Sequence, residues 1–299
     1  MNHDALVDAI LALREMLVRH DENIKAWRVM QAVPYKLWDD PRIVQARDRQ
    51  WEMVRHAFDP EEYRRYYANN VHEAPFEQQF GIQVTEAYRI PRVAFLEGGL
   101  RHTGMAEHGK IVDLSCNDGG FAAYLSSKGI DHVSGLDLNG HCITRARARM
   151  AMYDNDGVFE VAALEQPPAG WAGAYDVAVA YEVIEHTLNP AETIRRACAY
   201  LDPDGARLLF VSCPLLSTTD GNLPTWDDVE PKGHLHAIGE DEFKGWLDKV
   251  GDIEAYARTD ANPVVMMARV RVSETLCRFA ANEARLDQEA ASARVDAHA

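Results

Sequence analysis

The sequence lacks a Cys-x-x-Cys pair, an apolar run near the roughly 18 residues of a membrane span, and an excess of basic charge. Its five cysteines, Cys116, Cys142, Cys198, Cys213 and Cys277, are odd in number and widely spaced. That pattern argues against a disulfide framework or a zinc ribbon and reads as reduced thiols in the cytoplasm. The opening Met1-Asn-His-Asp-Ala-Leu-Val-Asp carries acids where a secretory leader is basic, which supports the same cytoplasmic placement. Thirty-one Lys and Arg against 47 Asp and Glu give a net charge of −16, so nucleic acid is not expected as a partner: phosphate backbones are met by basic stripes. The Gly-x-Gly-x-x-Gly dinucleotide fingerprint is also missing, because Ser115 and Asn117 occupy its first two glycine positions.

What is present is a chain of 299 residues, 47% hydrophobic, enough for one α/β domain of roughly 150 to 200 residues with additions. Residues 1–104 read as a helical accessory region or lid. Leu6, Val7, Ile10, Leu11, Leu13 and Leu17 recur at helical spacing, and Trp27, Trp38, Trp51 and Tyr63-Arg-Arg-Tyr-Tyr67 supply apolar anchors. From Lys110 the pattern alternates. Strands are expected over 110–114, 132–137, 157–162, 175–181 and 206–213, and helices over 119–128, 140–152 and 190–201, the signature of a doubly wound parallel sheet. Asn189, Pro190 and Glu192 predict a capping box at the third of these helices. A further helix over 240–250 is followed by strands over 253–259 and 264–272, whose short Asp260-Ala-Asn-Pro263 connection suits an antiparallel pair. Residues 273–299 read as a polar, Ala-rich helical or disordered tail, and these helical ends are the candidate surfaces for oligomerisation.

The richest stretch is Ile111-Val-Asp-Leu-Ser-Cys-Asn-Asp-Gly-Gly120, followed seventeen residues later by Asp137 in Val-Ser-Gly-Leu-Asp137. It reads as a strand, a tight small-residue turn, a helix and a second strand ending in a carboxylate. Such a unit builds a crevice in which a nucleoside lies across a helix N-terminus and offers its ribose hydroxyls to the acid.

With those residues in place, 105–272 resembles the class I S-adenosylmethionine-dependent methyltransferases. Val112-Asp-Leu-Ser-Cys-Asn-Asp-Gly119 resembles their Asp-Leu-Gly-Cys-Gly-x-Gly loop, and Asp137 their ribose acid. Tyr175-Asp-Val-Ala-Val-Ala-Tyr-Glu-Val-Ile-Glu-His186 is similar to their fourth strand and its exit, and Leu201-Asp-Pro-Asp-Gly205 to the turn into the fifth. The resemblance implies a seven-stranded Rossmann-like sheet, S-adenosylmethionine as cofactor, and cofactor contacts from Asp113, Ser115, Asn117, Gly119, Asp137, Leu138, Leu164 and Glu182. Ser115 and Asn117 replace glycines of the loop; Asn accepts left-handed backbone angles, so Asn117 is a reasonable substitute. The adenine edge falls to Ala162-Ala-Leu-Glu165, through Glu165 or a backbone group.

The expected activity is methyl transfer to a small-molecule or sugar-containing acceptor, at oxygen. His186 is the first candidate base, since imidazole titrates near neutrality, with Glu182, Glu185 and His234 as neighbouring catalytic candidates. Against these stand plainer readings: Asp137 as a strand-end cap, Asp113 as a brace of the turn, and Glu182-Val-Ile-Glu-His186 as a loop-shaping segment. Glu182, Glu185, His186 and His234 could also hold a divalent ion, a pattern similar to metal-dependent small-RNA terminal ribose methyltransferases. A cofactor-binding regulatory or scaffold domain without transfer activity is the alternative from another class. Tyr124-Leu-Ser-Ser-Lys128 has the spacing of a dehydrogenase pair, but its place in the first helix after the loop makes it structural.

Overall fold

The computed structural model of the protein describes residues 3–20, 26, 29–30, 40–54, 90–153, 155–215, 236, 238–259 and 264–296. Seven strands form one sheet: β1 (Ile111–Asp113), β2 (Val133–Asp137), β3 (Phe159–Val161), β4 (Val177–Tyr181), β5 (Leu208–Leu215), β6 (Gly251–Arg258) and β7 (Val264–Val272). Their order is β3-β2-β1-β4-β5-β7-β6. The first five run parallel, while β7 is antiparallel to both β5 and β6. The chain winds outward from β1 to β3 and returns to β4, so the strand order reverses between β1 and β4. Their carboxyl ends therefore part around a crevice at the switch point.

Alternation along each strand divides the core between the two faces. Val177 and Val179 of β4 and Phe210 of β5 pack with α3 (Ile90–His102), which is followed by the single-turn α4 (Met105–His108), and with α5 (Gly120–Ser127) and α6 (Gly140–Met150), through Leu96, Leu100, Ala122, Leu125, Ile143 and Ala146. Ala178 and Ala180 of β4, with Leu209 of β5, face the opposite side. There Ile194 and Ala197 of α7 (Pro190–Ala197) and Phe243 and Leu247 of α8 (Glu240–Leu247) complete the layer. Strands β1, β4 and β5 are buried along their whole length, which is why they read as near-continuous apolar runs. From the N-terminal helices α1 (His3–Arg19) and α2 (Pro41–Val54), Val7, Ile43 and Ala46 join the same second core.

The capping box forms by half. The Asn189 side chain accepts from Glu192 N at 3.1 Å, but the Glu192 carboxylate turns away to take Arg195 Nε at 2.7 Å and Arg196 Nε at 2.9 Å. Two guanidinium groups outcompete one backbone N–H for that carboxylate. Of the two expectations for the tail, a helix is what forms: α9 (Glu274–Asp296) buries Cys277, Ala280, Ala281 and Ala284 in the second core. The Arg195–Glu283 pair at 2.7 Å ties it to α7. Its alanines mark a face that packs closely, not a frayed end. All five cysteines are buried and unbridged, and no helix among the described residues is long and apolar enough to cross a membrane. Trp27, Trp38 and Tyr63 to Tyr67 lie outside the described residues, as does the side chain of Trp51.

Candidate functional site

The floor of the crevice is the turn from β1 into α5. Cys116 N donates to Leu136 O at 2.9 Å, fastening the turn to β2, and Gly119 N donates back to Cys116 O at 2.9 Å. Asn117 sits at φ 48° and Gly119 at φ 77°. Asn117 thus takes the left-handed geometry that a glycine would take in the resembling loop, and its small polar side chain tolerates it. At Gly119 a Cβ would lie 3.1 Å from the Ala146 Cβ, so the bare backbone lets α5 start close against α6. Ser115 Oγ donates to Tyr181 O at 3.2 Å, closing the turn onto the end of β4.

Two carboxylates flank this turn in different states. Asp137 is half-buried at the end of β2; its Oδ2 accepts from Asn117 N at 3.0 Å and its Oδ1 from Asn139 N at 2.9 Å. A carboxylate oxygen can accept more than one hydrogen bond, so these two contacts alone do not exhaust the acid. Asp113 is buried, and its Oδ1 accepts from Ser115 N at 3.3 Å, while Oδ2 has no hydrogen-bond partner. Burial, with the Asp137 charge nearby, raises its pKa to about 7. Asn117 Oδ1 is a second enclosed oxygen without a partner. Buried polar atoms are rarely left so, and both belong to the segment that leads from β1 into the N-terminus of α5. These residues fit a nucleoside cofactor with a polar tail.

The exit of β4 supplies the other wall. Glu182 holds φ 51°, a strained setting for a residue with a Cβ. It is fixed there by its backbone N–H donating to Ser212 O at 3.1 Å, by the Ser212 hydroxyl donating to its Oε1 at 2.8 Å, and by an ion pair from Arg92 Nη1 to its Oε2 at 3.2 Å. Arg92 and Ser212 are buried. Glu185 is fully buried on a short 3-10 turn, Ile184–His186, and burial together with the Glu182 charge pushes its carboxyl well above the ordinary range. His186 is 26% exposed with Nε2 3.8 Å from Glu185 Oε1. His236 lies against this turn: its N–H donates to Glu185 O at 3.3 Å, and its Nε2 is 2.9 Å from Thr187 O.

The crevice thus brings together Asp113, Ser115, Asn117, Gly119, Asp137 and the Glu182 to His186 turn. Leu138 is half-buried just past β2. The Leu164 side chain is buried in the second core, and its carbonyl accepts the Tyr200 hydroxyl at 3.0 Å. His234 lies outside the described residues, and among the described residues no three His, Cys, Asp or Glu side chains are grouped to hold a metal ion. Tyr124 donates to Glu97 Oε2 at 2.8 Å with Lys128 over its ring, a packing arrangement in keeping with its dismissal as a catalytic pair. The residue that sequence reasoning missed is Arg92. Its signal was there, a charge four and eight residues before the apolar Leu96 and Leu100 on one face of α3, but no motif surrounds it.

The Methyltransferase domain family matches residues 49–251. Ubiquinone biosynthesis O-methyltransferase of Cronobacter sakazakii is 28% identical over 153 residues, covering 47% of this chain and 60% of that protein. Its counterpart in Aromatoleum aromaticum is 29% identical over 110 residues, 37% of this chain and 46% of that protein. The chain therefore spans about half the length of the curated relatives it matches. Among solved structures, magnesium protoporphyrin IX methyltransferase from Synechocystis with bound S-adenosylhomocysteine superposes with a TM-score of 0.51 at 18% identity, covering 74% of this chain and 99% of that one, which is a likeness of fold. With the seven-stranded sheet, the left-handed turn and the β2 acid all in place, the chain belongs to the class I S-adenosylmethionine-dependent methyltransferases.

Proposed function

We propose that the protein transfers a methyl group from S-adenosylmethionine to an oxygen of a small-molecule acceptor, with His186 as the base. The observation that carries the acceptor chemistry is the imidazole of His186 on the turn that leaves β4, partly exposed at the crevice and next to the fully buried Glu185. Because burial favours the neutral form of Glu185, that carboxyl adds no negative charge that would lock a proton onto the imidazole. A general base must be able to accept the acceptor's hydroxyl proton as the new bond forms. The similarity to ubiquinone biosynthesis O-methyltransferases supports oxygen as the acceptor atom.

The cofactor, when bound, supplies an electrophilic methyl group on a sulfonium. The chain's own residues would place it. Asp137 would accept from the ribose hydroxyls, and the turn 115–119 would let backbone approach the tail. The tail of the cofactor carries one ammonium and one carboxylate, and the Arg92–Glu182 pair offers one charge of each sign at the end of β4. A pair already holding each other at 3.2 Å is preorganised, so little ordering is spent on binding.

The test is transfer of labelled methyl from S-adenosylmethionine into a fractionated metabolite extract, with the labelled product identified. An O-methylated small molecule, and loss of about a hundredfold in kcat with His186→Ala at little change in cofactor affinity, are expected. Label on nitrogen or carbon, or full activity in His186→Ala, overturns the reading.

A further inference from the structure

Tyr181 is the last residue of β4, at the carboxyl end where the crevice opens. Its ring stands edge-on to Phe121 at 5.6 Å, in the first turn of α5, and its carbonyl takes the Ser115 hydroxyl. The side chain is 4% exposed, yet its hydroxyl is enclosed with no hydrogen-bond partner. Buried Tyr hydroxyls ordinarily find one, because an enclosed donor left unmade costs free energy. The surroundings are polar as well as closed. Arg92, Glu182 and Asp113 are the charges that act on this phenol, and burial keeps it protonated, hence a donor. Asp113 Oδ2 and Asn117 Oδ1 are enclosed and without partners at the same end of the sheet. Unmet groups gathered at one end of adjacent strands mark a place built to receive a polar ligand group.

We infer that the Tyr181 hydroxyl is a binding group for the carboxylate of the cofactor's methionine tail, acting beside Arg92. This rests on the cofactor placement proposed above and adds a residue to it. A protonated phenol can donate to the tail's carboxylate or accept from its ammonium, and the Arg92 charge acting on the same phenol favours the carboxylate there. The tyrosine is therefore a group whose cost is met in the free protein and recovered in the complex.

Calorimetry with S-adenosylhomocysteine and with 5′-methylthioadenosine, which lacks the amino-acid tail, separates this role from a packing role. Tyr181→Phe is expected to weaken S-adenosylhomocysteine binding about tenfold and to leave 5′-methylthioadenosine within about twofold of wild type. Because phenylalanine removes an unmet donor and keeps the ring, the ligand-free variant is expected to melt about 2 °C higher than wild type. Tyr181→Met, which also deletes the hydroxyl, should show the same selective loss. Unchanged affinity for S-adenosylhomocysteine, an equal loss for both ligands, or a lowered melting temperature in ligand-free Tyr181→Phe overturns the inference while wild-type binding keeps the cofactor site intact. Failure of wild type itself to bind S-adenosylhomocysteine overturns both.

Discussion

The turn from β1 into α5 carries an ion pair whose disruption has a predictable asymmetry. Asp118 and Arg149 are each 1% exposed, with Arg149 Nη2 donating to Asp118 Oδ2 at 2.9 Å and Arg145 Nη2 at 3.6 Å from the same oxygen. Burial works against both charges, raising the Asp118 pKa and lowering that of Arg149, so the pair is held by mutual attraction against a desolvation cost. Breaking such a pair by removing one partner costs roughly 3–5 kcal/mol. The two halves should differ. Arg149→Met leaves Asp118 beside Arg145, and a carboxylate that burial already pushes toward its neutral form escapes part of the penalty by protonating, so about 3 kcal/mol is expected. Asp118→Asn leaves two guanidinium groups close together, one fully enclosed, and arginine has no neutral escape at ordinary pH, so about 5 kcal/mol is expected. The double variant should be about 2 kcal/mol less damaged than the sum of the singles. Urea unfolding of the three variants, followed by circular dichroism, measures all of this. An Asp118→Asn variant milder than Arg149→Met, or either single within about 0.5 kcal/mol of wild type, would refute the reasoning, since ordinary surface changes fall in that range.

Three further outcomes are expected. Asp113 has a folded pKa of about 7 against 3.8 unfolded, so between those values the folded state binds the extra proton; its contribution is fully present below pH 3.8 and is lost at about 1.4 kcal/mol per pH unit as pH rises toward 7. Asp113→Asn should remove that slope and make the protein more stable than wild type at pH 8, measured by urea midpoints across pH 4 to 8; a parallel slope in the variant contradicts it. Asp137→Ala should lose S-adenosylhomocysteine binding by about a hundredfold and about 2 kcal/mol of stability, because its two backbone hydrogen bonds to Asn117 and Asn139 go with it; calorimetry showing retained binding removes the acid from the site. Gly135→Ala should cost about 1–3 kcal/mol, since its Cβ would meet Cys116 Cβ at 2.7 Å and the Phe159 ring at 2.8 Å, and an unchanged melting temperature would refute that crowding.

Local signals carried much of this protein in its sequence. The alternation from Lys110 onward gave seven strands within a few residues of their ends, because buried parallel strands must be apolar throughout and helices between them must carry an apolar stripe. The turn 115–119 and Asp137 were legible because a tight turn restricts residue type, and a strand-end acid sits at a fixed spacing from it. Even the departure at Asn117 was readable, since few residues other than glycine accept φ 48°. Local signals fell short where side chains chose between local and distant partners. Glu192 was assigned to a capping box and took two arginines, and the Ala-rich end packed as α9 where composition alone left disorder open.

The rest was decided by distance in sequence. Arg92 reaches Glu182 across 90 positions, Ser212 reaches it across 30, and Asp118 meets Arg149 across 31. No periodicity within one element encodes such pairs, because the attraction that holds them must outweigh the cost of desolvation, and both arise only once the elements have packed. The same holds for Tyr181. Its sequence position announces a buried strand residue, but that its hydroxyl is enclosed without a partner at the reversal of strand order is a property of the packed sheet. The sequence by itself determined the fold family and the tight turn from β1 into α5; the tertiary structure decided which charges face that turn, because charge pairing across a crevice depends on separation in space and on exclusion of water.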